Sequence, residues 1–121
     1  MKTIFANIPD ISKKVKLEKL CKELGINVKA IDPYDGERTL LSVVSGGKYE
    51  LKETKSITTH KLPEIIVFQG FGDEELQEFL KVYREKGLEK IPLKAIVTPY
   101  NLTWTLNELG KHLEDERRSY S

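Results

Sequence analysis

Val28-Lys29-Ala30-Ile31-Asp32-Pro33-Tyr34, followed after four residues by Thr39-Leu40, is written a second time as Leu93-Lys94-Ala95-Ile96-Val97-Thr98-Pro99-Tyr100, followed after four residues by Thr105-Leu106. The Lys-Ala-Ile blocks lie 65 residues apart (94 minus 29), and the Pro-Tyr and Thr-Leu pairs 66 apart (99 minus 33, 105 minus 39), so one residue has been added between them. An upstream echo extends the match: residues 5–10 and 68–73 both run from an apolar strand into an acidic residue opening a charged helical stretch, at an offset of 63 (68 minus 5). A repeat of this kind speaks to architecture more than to chemistry.

Outward from these blocks, each half reads βαβα. Residues 4–8 form a first strand, ended by Pro9-Asp10; Leu17, Leu20, Cys21 and Leu24 then recur at i, i+3, i+4 and i+7, which predicts an amphipathic helix stopped by Gly25. Residues 26–31 are the second strand, and Thr39 caps a short helix running to Val44. In the second half, residues 65–68 are a continuous apolar strand, and Gly70-Phe71-Gly72 opens a helix with the acidic first turn Asp73-Glu74-Glu75 and the stripe Leu76, Phe79, Leu80, Tyr83. A strand over 93–97 leads to the capping box Thr105-Leu106-Asn107-Glu108 and a last helix burying Leu106, Leu109 and Leu113. The reading is one α/β domain of two pseudo-repeats, 1–47 and 62–121, joined by a charged connector, 48–61, with a short hairpin or edge strand around 55–59.

Lys29 and Lys94 sit in the middle of the second and fourth strands, and a charged side chain there is easiest to solvate at a sheet edge. The first and third strands carry no charge. The predicted strand order is therefore 2-1-3-4, with a parallel sheet and helices on both faces; the alternative is a mixed sheet with helices mainly on one side.

Composition narrows the class. The chain has 121 residues, 39% hydrophobic and 32% charged, and no apolar run approaches the ~20 residues of a membrane helix. With one cysteine and an N-terminus too briefly apolar for a signal peptide, the expected location is cytoplasmic. The net charge of +1 hides an asymmetry: residues 1–61 hold 12 Lys+Arg against 8 Asp+Glu, and residues 62–121 hold 8 against 11, so the halves are +4 and −3. Opposite signs favour docking of the halves on each other or head-to-tail association, although such terms are screened at exposed positions.

No catalytic constellation emerges. Cys21 lies on an apolar stripe and reads as core; His60 and His112 lack partners at metal-ligand spacing and read as solvent-facing; Asp32 and Asp35 have no counterpart pair in the second copy. Lys13, Lys14, Lys16, Lys19 and Lys22 spread around a polar face without interleaved aromatics, which argues against nucleic acid. Gly70-Phe71-Gly72 is a tight turn rather than a phosphate loop, because the acidic cluster after it repels anions. In a parallel sheet a ligand sits beyond the carboxyl ends of the two central strands. That reasoning selects Asn7, Gln69 and Gly70, with Thr98, Tyr100, Asn101, Trp104 and Thr105 from the most distinctive segment of the chain, as candidate binding residues.

The second half, from Glu64-Ile65-Ile66-Val67-Phe68-Gln69-Gly70-Phe71-Gly72-Asp73-Glu74-Glu75-Leu76 through Leu93-Lys94-Ala95-Ile96-Val97-Thr98-Pro99 to Asn101-Leu102-Thr103-Trp104-Thr105-Leu106, resembles a bacterial family of unknown function, DUF3783. The likeness covers residues 64–115; Gly72 stands where the family pattern often has serine, the better side-chain cap. The resemblance implies no reaction, cofactor or metal, and directs attention to Thr98, Asn101, Trp104 and Thr105. The functional expectation is a non-catalytic module that binds a protein partner or itself as a homodimer. The alternative is a small-molecule or nucleotide-binding enzyme using the crevice at the carboxyl ends of the first and third strands.

Overall fold

The computed structural model describes residues 2–48 and 61–119, with side chains to 117. The hairpin or edge strand expected at 55–59 and His60 fall outside the described residues. Eight elements follow in the order β1 (Thr3–Asn7), α1 (Ile11–Glu23), β2 (Asn27–Ala30), α2 (Leu40–Val44), β3 (Ile65–Gln69), α3 (Asp73–Glu85), β4 (Leu93–Ile96) and α4 (Leu106–Ser119). Their boundaries follow local signals. Asp10 caps α1 by accepting from the Lys13 N–H at 3.1 Å, and Gly25 ends it with φ +72°, a left-handed conformation that costs glycine little. Thr39 caps α2 by accepting from Ser42 N, and Thr105 and Glu108 exchange the reciprocal bonds of the expected capping box.

The four strands form one sheet in the order β2-β1-β3-β4, as expected from the two mid-strand lysines. The expectation of a parallel sheet is overturned at its centre. β1 pairs with β2, and β3 with β4, in parallel, but β1 and β3 run antiparallel with Phe5 opposite Val67. Odd-numbered residues of β1 and β3 face one side and even-numbered ones the other. Ile4, Ala6, Ile66 and Phe68 pack with Leu17, Leu20 and Cys21 of α1 and Phe79 and Tyr83 of α3. Phe5, Ile65 and Val67 pack with Leu40 and Val43 of α2 and Leu106 and Leu109 of α4. Helices therefore cover both faces, as expected; the alternative foresaw the mixed sheet but put the helices mainly on one side.

Side-chain and loop contacts between the halves account for the antiparallel join. Lys13, just inside α1, pairs with Glu64, just before β3, at 2.5 Å, and Lys2 before β1 pairs with Glu75 in α3 at 2.7 Å. In a parallel join the start of β3 would lie beside the start of β1, a strand's length from Lys13. The segments preceding α2 and α4 also meet, with Thr39 bridged to Thr105. Leu40 N donates to Trp104 O (2.8 Å) and Leu106 N to Arg38 O (2.9 Å); Leu41 N donates to Leu102 O (2.9 Å) and Asn107 N to Gly36 O (2.9 Å). A Cβ on Gly36 would stand 2.2 Å from Asn107 Oδ1, so a larger residue there has to displace the Asn107 side chain.

Candidate functional site

The antiparallel join separates the residues chosen for a crevice between β1 and β3. Asn7 lies opposite Ile65 at one end of the ladder, whereas Gln69 lies opposite Thr3 at the other. The two carboxyl ends never meet, so the crevice on which the enzyme alternative rested does not form. Asn7 is buried, and its amide donates to Leu62 O (3.1 Å) and Pro63 O (2.9 Å), fastening the segment that enters β3. Gly70 turns the chain out of β3 with φ +81°.

Because β3 and β4 are parallel, Gln69 and Gly70 share an end of the sheet with the turn containing Thr98, Tyr100 and Asn101. Val97 N donates to Phe68 O, so odd residues of β4 face β3 and the backbone groups of Lys94, Ile96 and Thr98 face outward. Asn101 takes up part of that edge: Nδ2 donates to Ile96 O and Oδ1 accepts from Thr98 N, both at 2.9 Å. The buried carboxamide thus stands in for a neighbouring strand. Trp104 is half-buried and stacks on His112, with ring centroids 4.2 Å apart and planes 15° apart, so this histidine, though exposed, has the aromatic partner that its spacing in sequence concealed. Thr105 is consumed by the cap of α4. Tyr100 is 84% exposed. Asp32 accepts from Tyr34 N and Asp35 pairs with Arg38, so each aspartate has a local role. Glu75 receives the Gly72 N–H, satisfying the opening of α3.

A concavity lies elsewhere, between α3 and the edge strand β4. It is a cleft of about 410 Å³ whose apolar walls include Ile66, Phe79, Leu80, Leu88 and Ile91, within the size range of ligand pockets. Arg84, Lys90 and Lys94 stand around it. The ammonium of Lys94 is half-buried and donates to Ile91 O at 2.8 Å. Its pKa lies below the usual lysine range because burial disfavours the charge and because Lys90 and Lys13 stand nearby. Lys13 is already engaged with Glu64 and with Lys90 O, and among the described residues no carboxylate pairs with Arg84, Lys90 or Lys94. The Tyr83 phenol donates to Glu89 O, and burial, reinforced by the charges of Glu64 and Glu89, pushes its pKa up to about 12.

Sequence reasoning overlooked this cleft. Lys94 signalled an edge, but nothing local indicates that it borders a concavity. The one available signal was Leu88 and Ile91, two apolar residues between the end of α3 and β4 that neither element's periodicity requires. Cys21 is fully buried with its thiol pushed up to about 12, first by desolvation and then by Glu18, the opposite of an activated nucleophile. Among the described residues no group of three or more His, Cys, Asp or Glu is placed to hold a metal ion, and no helix is long and apolar enough to cross a membrane.

Comparison with known proteins finds a family likeness in the second half. The family model for a domain of unknown function, DUF3783, matches residues 64–120, which span β3, α3, β4 and α4 and include the cleft. Neither the curated proteins nor the solved structures give a match.

Proposed function

We propose, on the premise that residues 64–120 are a DUF3783 domain, that this chain is a non-catalytic cytoplasmic binding module and that the α3–β4 cleft is where a protein partner docks. The observation that carries this reading is an apolar concavity bordered by three cations without carboxylate partners among the described residues, one of them half-buried. Such a surface complements an extended segment that alternates apolar and acidic side chains. The apolar groups fill the cleft, and the carboxylates neutralise Lys90, Lys94 and Arg84. The candidate residues at the carboxyl end of β4 lie outside this cleft: Asn101 holds the turn after Ile96, and Thr105 caps α4.

We also read the chain as a duplication. The halves run through strands of 5 and 5 residues, first helices of 13 and 13, and second strands of 4 and 4. Adding 66 to the donor and subtracting 66 from the acceptor turns one hydrogen bond between the Thr-Leu segments into another (40 to 106 with 104 to 38; 41 to 107 with 102 to 36). On this reading the DUF3783 half carries the cleft, and the first half serves as its scaffold.

The test is an NMR titration of the labelled full chain with an eight-residue peptide alternating leucine and glutamate. Shifts confined to α3, β4 and the loop between them are expected, with a Kd raised about tenfold by Lys94→Met combined with Lys90→Gln. Shifts distributed elsewhere, or none, would refute the assignment of the cleft.

A further inference from the structure

The outer edge of β2 is open in a way that the edge of β4 is not. Ile31 N donates to Ala6 O and Asn27 N to Lys2 O, so the odd-numbered positions face β1. By alternation, the N–H and C=O groups of Val28 and Ala30 face outward, and no strand among the described residues lies beyond them. At β4, Pro92 lacks an N–H, Lys94 sits mid-strand and Asn101 occupies the Ile96 carbonyl, three devices that discourage further pairing. At β2 the described residues supply one such device, Lys29.

Above this edge lies an apolar flank of α1. Ile11 and Val15, four apart, are 77% and 55% exposed. Lys16, Lys19, Leu20 and Glu23 stand beside Lys86 and Leu88, on the side of α1 toward β4. Ile11 and Glu18 therefore lie on the opposite flank, toward the β2 edge, with Val15 and Lys22 beside them on the solvent side of the helix.

We propose that this edge and flank form a homodimer interface in which β2 pairs antiparallel with β2 of a second copy about a twofold axis through Val28, joining two four-stranded sheets. Four features favour a second copy over another partner, because a twofold interface must complement itself. The Val28 N–H and C=O of one copy meet those of the other, and the Ala30 N–H meets the carbonyl of Ile26 of the partner subunit. An axis through Val28 sets Lys29 against Asn27 of the partner subunit, whereas an axis through Lys29 would oppose two ammonium groups. Glu18 and Lys22 have no ion pair among the described residues, so each copy can offer an acid to the other's base. The chain also makes the same kind of antiparallel join internally, between β1 and β3.

The experiment is sedimentation equilibrium of the full chain up to about 100 μM, because self-association depends on concentration. The expected mass is twice 13.9 kDa. Ile11→Ser with Val15→Ser is expected to raise the dimer Kd at least about tenfold. Both positions are exposed, so the fold is retained and circular dichroism stays unchanged. Ala30→Pro removes an N–H that faces away from β1 and is expected to weaken the dimer similarly, while Lys94→Met leaves it unaltered. Hydrogen exchange at the Val28 and Ala30 amides slows as the dimer forms. A mass of 13.9 kDa throughout, or a dimer indifferent to the Ile11 and Val15 substitutions, overturns the proposal and leaves the α3–β4 cleft assignment standing.

Discussion

Asn101 shows how a polar side chain that looks like a ligand-binding residue in sequence can be a part of the sheet. Its carboxamide pairs with Ile96 O and Thr98 N at the outer edge of β4 and is 7% exposed. Asn101→Ala leaves both groups short of a partner and is expected to cost about 1–3 kcal/mol in denaturant unfolding. Tyr100→Ala next to it, at 84% exposure, should stay within about 0.5 kcal/mol. Cys21 and Tyr83 make a second residue-scale expectation, on pH. Their folded pKa values are raised, from 9.0 and 10.0 to about 12, so the folded state keeps protons that the unfolded chain releases. Stability is fully present below about pH 9 and is lost as pH climbs toward 12. Cys21→Ala should make that decline shallower, and the native thiol should react with thiol reagents only as fast as the chain opens. The sequence placed Cys21 correctly because helical periodicity is local. It could not place Asn101, whose partners depend on which side of β4 lies unpaired.

At the scale of elements, short-range chemistry was legible almost throughout. The Thr-Leu doublets, the Asp10 cap, Gly25 and the capping box each act within four residues, and each does what its spacing predicts. The two threonine caps should nonetheless differ in weight. Thr39 is 2% exposed and Thr105 half-buried, so Thr39→Ala should cost toward 2 kcal/mol and Thr105→Ala about 0.5–1 kcal/mol by thermal or denaturant unfolding. Where sequence reading fell short was in what an element's second face does. The stripe of α3 was assigned wholly to the core, yet Leu80 also walls a cleft, while α1 carries Ile11 and Val15 outside any stripe.

For the whole molecule, the charge asymmetry between the halves resolves into two specific contacts. Lys2 and Lys13, from the +4 half, pair with Glu75 and Glu64, from the −3 half. A shift of 62 carries Lys13 to Glu75 and Lys2 to Glu64, so the two bridges occupy corresponding places with their charges exchanged. They are not equal in energy. The Lys13 and Glu64 side chains are 9% and 18% exposed against 37% and 46% for Lys2 and Glu75. Lys13→Ala also strips a donor from Lys90 O, and is expected to cost about 1–3 kcal/mol, whereas Lys2→Ala should cost under 1 kcal/mol and less in high salt. Unfolding midpoints of the two variants at low and high salt check the ranking.

The sequence by itself determined the described elements, most of their ends and the strand order. Each of these follows from periodicity, capping chemistry, or a lysine's need for water at a sheet edge. Only the tertiary structure decided that the halves join antiparallel. β1 and β3 are uncharged and buried on both faces, so their own residues suit either direction, and the choice falls to Lys13–Glu64, Lys2–Glu75 and the four backbone bonds between the Thr-Leu segments. That one choice moved Asn7 away from Gln69 and removed the crevice between the central strands. It left as candidate surfaces, among the described residues, two places at the sheet's margins: the α3–β4 cleft with its cations and the β2 edge with the outward backbone groups of Val28 and Ala30.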